Sequence, residues 1–206
     1  MTLATPMLTF DASTHQYFLG GVIIPGLSQV LIAQGLRQSR GDEAAMARGS
    51  DVHRLTALDD MDALYESEIP DTYRGYVTAW CTAKRDLDLT TRSFEHIEEP
   101  IASVQHRYGC TPDRVVMVRG DYHAVVELKT GSPDPADGIQ LAAQAIAARD
   151  TYGLTVIPRR MAVYIERQGQ YKVVEYTEPT DGHTFLCALA NFSWRVKHSK
   201  LNGNGG

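Results

Sequence analysis

The stretch TPDRVVMVRGDYHAVVELKTG, residues 111–131, decides the fold. Two β-branched runs, TPDRVVMV (111–118) and YHAVVELKTG (122–131), flank the polar turn Arg119-Gly120-Asp121 and read as a hairpin. Side chains alternate along a strand, so Glu127 and Lys129 project from one face. A carboxylate and an ammonium closing the apolar run AVVELK are costly unless paired or bound to something. Asp113 begins the neighbouring strand, and pairing would bring its carboxylate beside Glu127.

Working outward, GIQLAAQAIAARDTY (138–152) is Ala-rich and reads as a helix, followed by strands RMAVYIE and YKVVEY joined at Gly169. A last helix is expected over Asp181–Lys197, with Phe185, Leu189, Phe192 and Val196 on its apolar side and Trp194 packed internally. Upstream, residues 93–104 form a candidate strand holding Glu95, Glu98 and Glu99, followed by a turn at Tyr108-Gly109-Cys110. Helices are expected over Asp42–Leu58 and Asp71–Leu87, and Tyr73, Tyr76, Val77 and Trp80 at helical spacing in the second read as core. The opening segment predicts short strands around a Gly20-Gly21 turn, with Tyr17, Leu19, Val22 and Ile24 in alternation and a helix starting near Ser28. This order gives one α/β domain over residues 1–200, a mixed central β-sheet flanked by helices, with a Gly-rich flexible tail at 201–206. Neither GxGxxG nor a Walker A sequence is present, so nucleotide-binding folds gain no support.

The chain has 206 residues, enough for a sizeable core, and a formal net charge of −5. That charge argues against a protein that coats nucleic acid by bulk attraction, but a local basic rim can still grip phosphates. Candidates are Arg37, Arg40, Arg48 and Arg54, and the C-terminal set Arg195, Lys197 and Lys200. Three scattered cysteines, Cys81, Cys110 and Cys187, support neither a disulfide framework nor a cysteine-built zinc or iron–sulfur site. No apolar run is long enough to span a membrane and no signal peptide is evident, so a cytoplasmic location is expected.

Asp113, Glu127 and Lys129 suit phosphodiester hydrolysis. The two carboxylates offer hard oxygen ligands for Mg²⁺ or Mn²⁺, and the backbone carbonyl of Leu128 is a further candidate ligand. Lys129 would orient the attacking water, offset charge or, deprotonated, act as base. The bland alternative is a structural carboxylate–lysine pair at a sheet edge. Gly49 and His53 stand four apart on one helical face, so His53 is a candidate nitrogen ligand, although a lone histidine is more often structural. Gln140 and Gln144 lie one turn apart on the Ala-rich helix; taken alone they read as surface residues opposite Leu141, Ala145 and Ala148.

Together, Gly49-Ser50-Asp51-Val52-His53, Thr111-Pro112-Asp113-Arg114, Glu127-Leu128-Lys129-Thr130-Gly131 and Gln140-Leu141-Ala142-Ala143-Gln144 resemble the PD-(D/E)XK nuclease superfamily, in particular its RecB-like and phage-type exonuclease branch. The resemblance implies a restriction-endonuclease-like core and a divalent-metal site. It implies His53, Asp113, Glu127 and Lys129 as the active-site set, Gln140 as a supporting glutamine, and an acidic residue on the preceding strand. Glu98 or Glu99 fits that place; the register decides, and the context before Pro100 slightly favours Glu99. Gln144 stands where relatives often carry tyrosine, and the four-cysteine iron–sulfur cluster of some members is not matched.

The implied function is a DNA exonuclease acting on linear duplex ends in phage or prophage recombination or repair, with a single-strand annealing protein as partner and a homo-oligomer as one possible form. An endonuclease, a non-catalytic DNA-binding module and a hydrolase of small phosphate esters are the alternatives.

Overall fold

The hairpin anticipated from 111–131 is strands β7 and β8 of the structure, a computed structural model that describes residues 6–38 and 43–199. Arg40, Asp42, Lys200 and the expected tail at 201–206 lie outside the described residues. In chain order the elements are β1 (Leu8–Asp11), β2 (Gln16–Leu19), β3 (Val22–Ile24), α1 (Leu27–Ala33), α2 (Glu43–Asp60), α3 (Asp71–Asp86), β4 (Phe94–Ile97), β5 (Ile101–Ser103), β6 (Tyr108–Cys110), β7 (Arg114–Val118), β8 (Tyr122–Lys129), α4 (Pro135–Tyr152), β9 (Arg159–Ile165), β10 (Tyr171–Glu175) and α5 (Asp181–Ser199).

β7 and β8 pair antiparallel from Arg114↔Val126 to Val118↔Tyr122. Their turn places both Arg119 and Gly120 at positive φ. β8 then runs parallel to β9. A parallel pair needs a long crossover, and α4 supplies it. With β10 and β4 at the edges, the central sheet has the order β10-β9-β8-β7-β4 and is mixed.

Alternation along β7, β8 and β9 sorts the core into two faces. Val115, Val125, Ala162 and Tyr164 pack with α1, α4 and α5. Val116, Ala124, Val126, Leu128, Met161 and Val163 pack with Val52 of α2 and Trp80 of α3. The protein is therefore an α/β three-layer arrangement, its sheet covered on both sides. Each fully buried Val or Leu contributes about 1.5–3 kcal/mol to holding the layers together. By the same alternation Glu127 shares the α4 face with Val125, while Arg114 shares the α2/α3 face with Val116.

α4 starts at Pro135, three residues before the sequence reading placed it. Asp134 caps it by accepting the Ala136 N–H, Pro135 occupies the first turn, and left-handed Gly153 ends it. The helix is buried almost all round from Ala136 to Ala148, because the sheet, α5, α1 and β5 enclose it.

The N-terminal strands form a separate sheet, β1-β2-β3. Gly20 and Gly21 turn β2 into β3 with φ of +59° and +76°, the geometry of a two-residue hairpin. This sheet docks on β6 through the Gly109 N–H, which donates to the Pro25 carbonyl at 2.9 Å. A Cβ at Gly109 would lie 2.3 Å from the Tyr17 ring, so this approach needs glycine.

Several expectations are corrected. Residues 93–104 are not one strand: the chain breaks at Glu98-Glu99-Pro100, and β5 leaves to pair with β6, which occupies the expected Tyr108-Gly109-Cys110 turn. Proline offers no N–H for a ladder, and Glu98 takes a left-handed φ of +53°. Val22, at the end of its hairpin, is exposed although Ile24 is buried. Trp194 and Val196 are exposed near the end of α5, where the helix has run past the core. Among the described residues no helix is long and apolar enough to cross a membrane.

Candidate metal centre

Asp113 stands immediately before β7. Its Oδ2 accepts the Leu128 N–H at 2.7 Å, extending the β7–β8 pairing by one side-chain bond. Its Oδ1 lies 3.2 Å from His53 Nδ1, and Glu98 Oε1 lies 3.3 Å from the same nitrogen. The candidate ligand atoms of His53, Glu98 and Asp113 all lie within 4.8 Å of one another. Neighbouring ligands around Mg²⁺ or Mn²⁺ bonded at 2.0–2.1 Å sit about 3.0 Å apart, close to the 3.2 Å and 3.3 Å between His53 Nδ1 and the two carboxylates. Two hard oxygens with an imidazole suit Mn²⁺ better than Mg²⁺. Glu127 is not in this three-residue group.

Of the three glutamates before Pro100, Glu98 faces the cluster. Its N–H donates to the Asp113 carbonyl at 3.0 Å, which fixes the left-handed corner. Glu99 points away, with Oε2 3.5 Å from His96 Nδ1 and 74% of its side chain exposed. Glu95 pairs with His123 at 3.1 Å. The slight preference for Glu99 is thus corrected. The pairing of β4 with β7 shifts register between Phe94 and His96, so counting alternate residues through this strand loses the parity. Glu98→Gln is expected to weaken Mn²⁺ binding by about tenfold or more, and Glu99→Gln by less than about twofold, as read by titration calorimetry. Equal losses from the two variants would remove Glu98 from the centre.

Glu127 and Lys129 extend toward α4. Lys129 Nζ lies 3.2 Å from Glu127 Oε2, 3.4 Å from Asp137 Oδ1 and 3.1 Å from Gln140 Oε1. Gln140 also accepts from Arg37 Nη1 at 2.5 Å. Gln144 donates its amide N–H to Glu127 Oε1. Both glutamines are buried, correcting the reading of them as surface residues, because α4 is enclosed on the side they share. Burial and the Asp113 charge raise the Glu127 carboxyl above its ordinary range. Burial works against the Lys129 charge, but Glu127 and Asp137 outweigh it and raise its pKa, so Lys129 is a cation in the metal-free protein.

Three participants escaped the sequence reading: Asp137, Gln144 as the partner of Glu127, and Arg114. The Arg114 side chain is fully buried. It donates to Asp60 Oδ2 at 2.6 Å, Thr56 Oγ1 at 3.1 Å, the Asp113 carbonyl at 2.7 Å and Glu98 Oε1 at 3.1 Å. It therefore ties the Glu98 corner to α2. The available signal was an arginine opening the β-branched run RVVMV, where a charge is costly unless paired.

The centre opens into three cavities. One, about 530 Å³, reaches His53, Glu127, Lys129, Gln140 and Arg37. A second, about 590 Å³, runs along α2 past His53, Arg54 and Glu98. The third, about 560 Å³, lies under the N-terminal sheet and reaches Glu98, Gln140 and Gln144. Of the candidate basic residues, Arg37 and Arg54 line this space; Arg195 and Lys197, on α5, line none of the three cavities.

The Asp113 carboxylate, aided by Glu98, pushes His53 up to about 11 from its ordinary 6.5 despite burial. Asp113 is correspondingly held below its ordinary value: burial opposes its charge, but His53, Arg114 and Lys129 outweigh burial. Because the folded value of His53 is raised, its ion pairs stabilise the metal-free protein fully below pH 6.5 and are lost as pH rises through about 11. His53 Nδ1 must shed its proton to take up an ion. Mn²⁺ binding near neutral pH should therefore release about one proton and strengthen by up to about tenfold per pH unit. Calorimetry in buffers of different ionisation heat reads the proton; no release would place His53 outside the ligand set.

No family model and no curated protein matches the sequence. Among solved structures, the protein is similar to a candidate exonuclease from Eubacterium rectale, with a TM-score of 0.50 and 11% identity over 86% of this chain and 75% of that one. A second structure, SSO0001, gives a TM-score of 0.38 and 15% identity over 82% of this chain and 84% of that one. At 11% identity the first likeness shows a shared fold and nothing further. The mixed sheet flanked by helices and a His53–Glu98–Asp113 cluster able to hold a divalent ion are the features of a metal-dependent hydrolase in general terms.

Proposed function

We propose that the chain is a nuclease of the PD-(D/E)XK type that hydrolyses DNA phosphodiester bonds with Mg²⁺ or Mn²⁺. The observation that carries this reading is the convergence of His53 Nδ1 with the Glu98 and Asp113 carboxylates, beside a cationic Lys129 held 3.2 Å from Glu127. His53, Glu98 and Asp113 would hold the ion, with Glu127 and the Leu128 carbonyl as further ligands. The N–H and C=O of one strand residue point to the same neighbour, so the Leu128 carbonyl faces the Asp113 side. When bound, the ion would polarise a phosphoryl oxygen and lower the pKa of a bound water. Lys129 would offset charge developing on the phosphoryl oxygens, a role that needs the cation it already is. Gln140, shared between Lys129 and Arg37, would keep both cations turned into one cavity.

Action on DNA ends, as an exonuclease of the RecB-like, phage-type branch, is the finer reading and rests on the motif resemblance alone. Resected single strands would then pass to an annealing partner. End-labelled linear duplex and covalently closed circular DNA, incubated with Mg²⁺, Mn²⁺ or EDTA, test both levels. Metal-dependent loss of the linear form only supports an exonuclease. Cutting of the circle makes it an endonuclease. Intact DNA in both metals, with folded protein, removes the nuclease reading.

A further inference from the structure

The cavities that meet at the metal centre differ in charge. The one beside Lys129 is lined by the cations Lys129 and Arg37 and by His53, set among the carboxylates of Glu127, Asp134 and Asp137, so a phosphate there has cationic partners. Among the described residues, the one under the N-terminal sheet is lined by no lysine or arginine, and Glu98 is its single carboxylate. A phosphate placed there would find no lysine or arginine lining the cavity to hold it, since Arg114 and His53, which pair with Glu98, are not part of its lining. What the cavity offers instead is apolar surface at the rim and hydrogen-bonding groups at the floor. Ile23, on the rim, is 60% exposed. His15, which also lines it, is held at a left-handed φ of +53° with its ring 5.2 Å from Phe10. Thr111, Gln140 and Gln144 supply the floor.

Gln144 sharpens the picture. It is 2% exposed, and its amide N–H is committed to the Glu127 carboxylate. Its Oε1 is buried with no hydrogen-bond partner among the described residues. A buried acceptor without a donor is costly, and native structures that keep one usually have a use for it.

We infer that this cavity takes an unpaired nucleobase of the strand whose phosphate occupies the Lys129–Arg37 side. The base is neutral and flat. Its faces suit His15 and Ile23, and its N–H edge suits the unpartnered acceptor of Gln144. Gln140 is a wall of both cavities, so it divides the phosphate side from the base side. This assignment rests on the nuclease reading and adds to it a subsite, a ligand class and an orientation for the strand.

The test uses short oligonucleotides, single-stranded and as blunt duplexes, each with one abasic site at a different position. Cleavage by the full chain is followed with Mn²⁺, reading KM and kcat for each. Stacking on a protein platform makes roughly a 5- to 150-fold difference per base, so one abasic position should raise KM by that order while its neighbours change little. Ile23→Trp and Ser28→Trp, both at exposed rim positions, should narrow the cavity. Each should raise KM for the intact strand toward the abasic value and abolish the further effect of the abasic site, with the melting temperature unchanged. Equal KM at every abasic position, with cleavage intact, would overturn the subsite and leave the nuclease standing. No cleavage of any oligonucleotide would overturn the nuclease and the subsite with it.

Discussion

Asp113→Asn is expected to lower metal-dependent DNA cleavage by about 10³-fold or more, because groups that act as a unit lose most of their effect when one is removed. Asparagine keeps the shape of the side chain and an oxygen able to accept the Leu128 N–H, so the β7–β8 pairing is spared. What disappears is the charge. That charge is the largest cause holding His53 in its cationic form, and it belongs to one of the two carboxylates in the candidate ligand cluster. The variant should therefore lose chemistry and also the stabilisation that the His53–Asp113 pair gives the metal-free protein at neutral pH. Initial rates on end-labelled linear duplex with Mn²⁺, beside a thermal melt of the same preparation, separate the two. Activity within about tenfold of wild type would show that Asp113 is not part of the machinery.

How far the site could be read from sequence follows from what each residue depends on. Glu127 and Lys129 depend on local alternation in one uninterrupted strand, and they do share a face. Asp113 depends on one tight hairpin, which the pattern around Arg119-Gly120-Asp121 marks well. His53 depends on helical spacing for its face, and then on the α2 layer lying against the end of the sheet. Glu98 depends on a register shift in β4 followed by a left-handed corner, and alternation carries no trace of either. Gln144 and Asp137 depend on how deeply α4 is enclosed, a tertiary property that an Ala-rich helix does not declare. The fold class was legible because strand and helix periods differ clearly across the middle of the chain. The N-terminal sheet docking on β6 was not, because it turns on one glycine that admits the Tyr17 ring.

Arg114→Met carries the largest expected effect on stability. Methionine has a long unbranched chain, so packing against Trp80 is largely kept while the charge is lost. Asp60, with a side chain at 0% exposure, keeps Lys84 at 2.8 Å and the Trp80 N–H but loses its partner at 2.6 Å. Removing one member of a buried ion pair costs about 3–5 kcal/mol. For a domain of this size that corresponds to a fall of roughly 6–20 °C in melting temperature. Adding Asp60→Asn removes the under-compensated charge while leaving an amide oxygen for the Trp80 N–H and Asp59 as the partner of Lys84, so the double variant should regain part of the loss. It should not regain Mn²⁺ affinity, because Glu98 would still lack the guanidinium that ties its corner to α2. A single variant that melts within about 2 °C of wild type would show that the network is not stabilising. A double variant that recovers metal affinity along with stability would show that Arg114 acts on the fold alone and does not position Glu98.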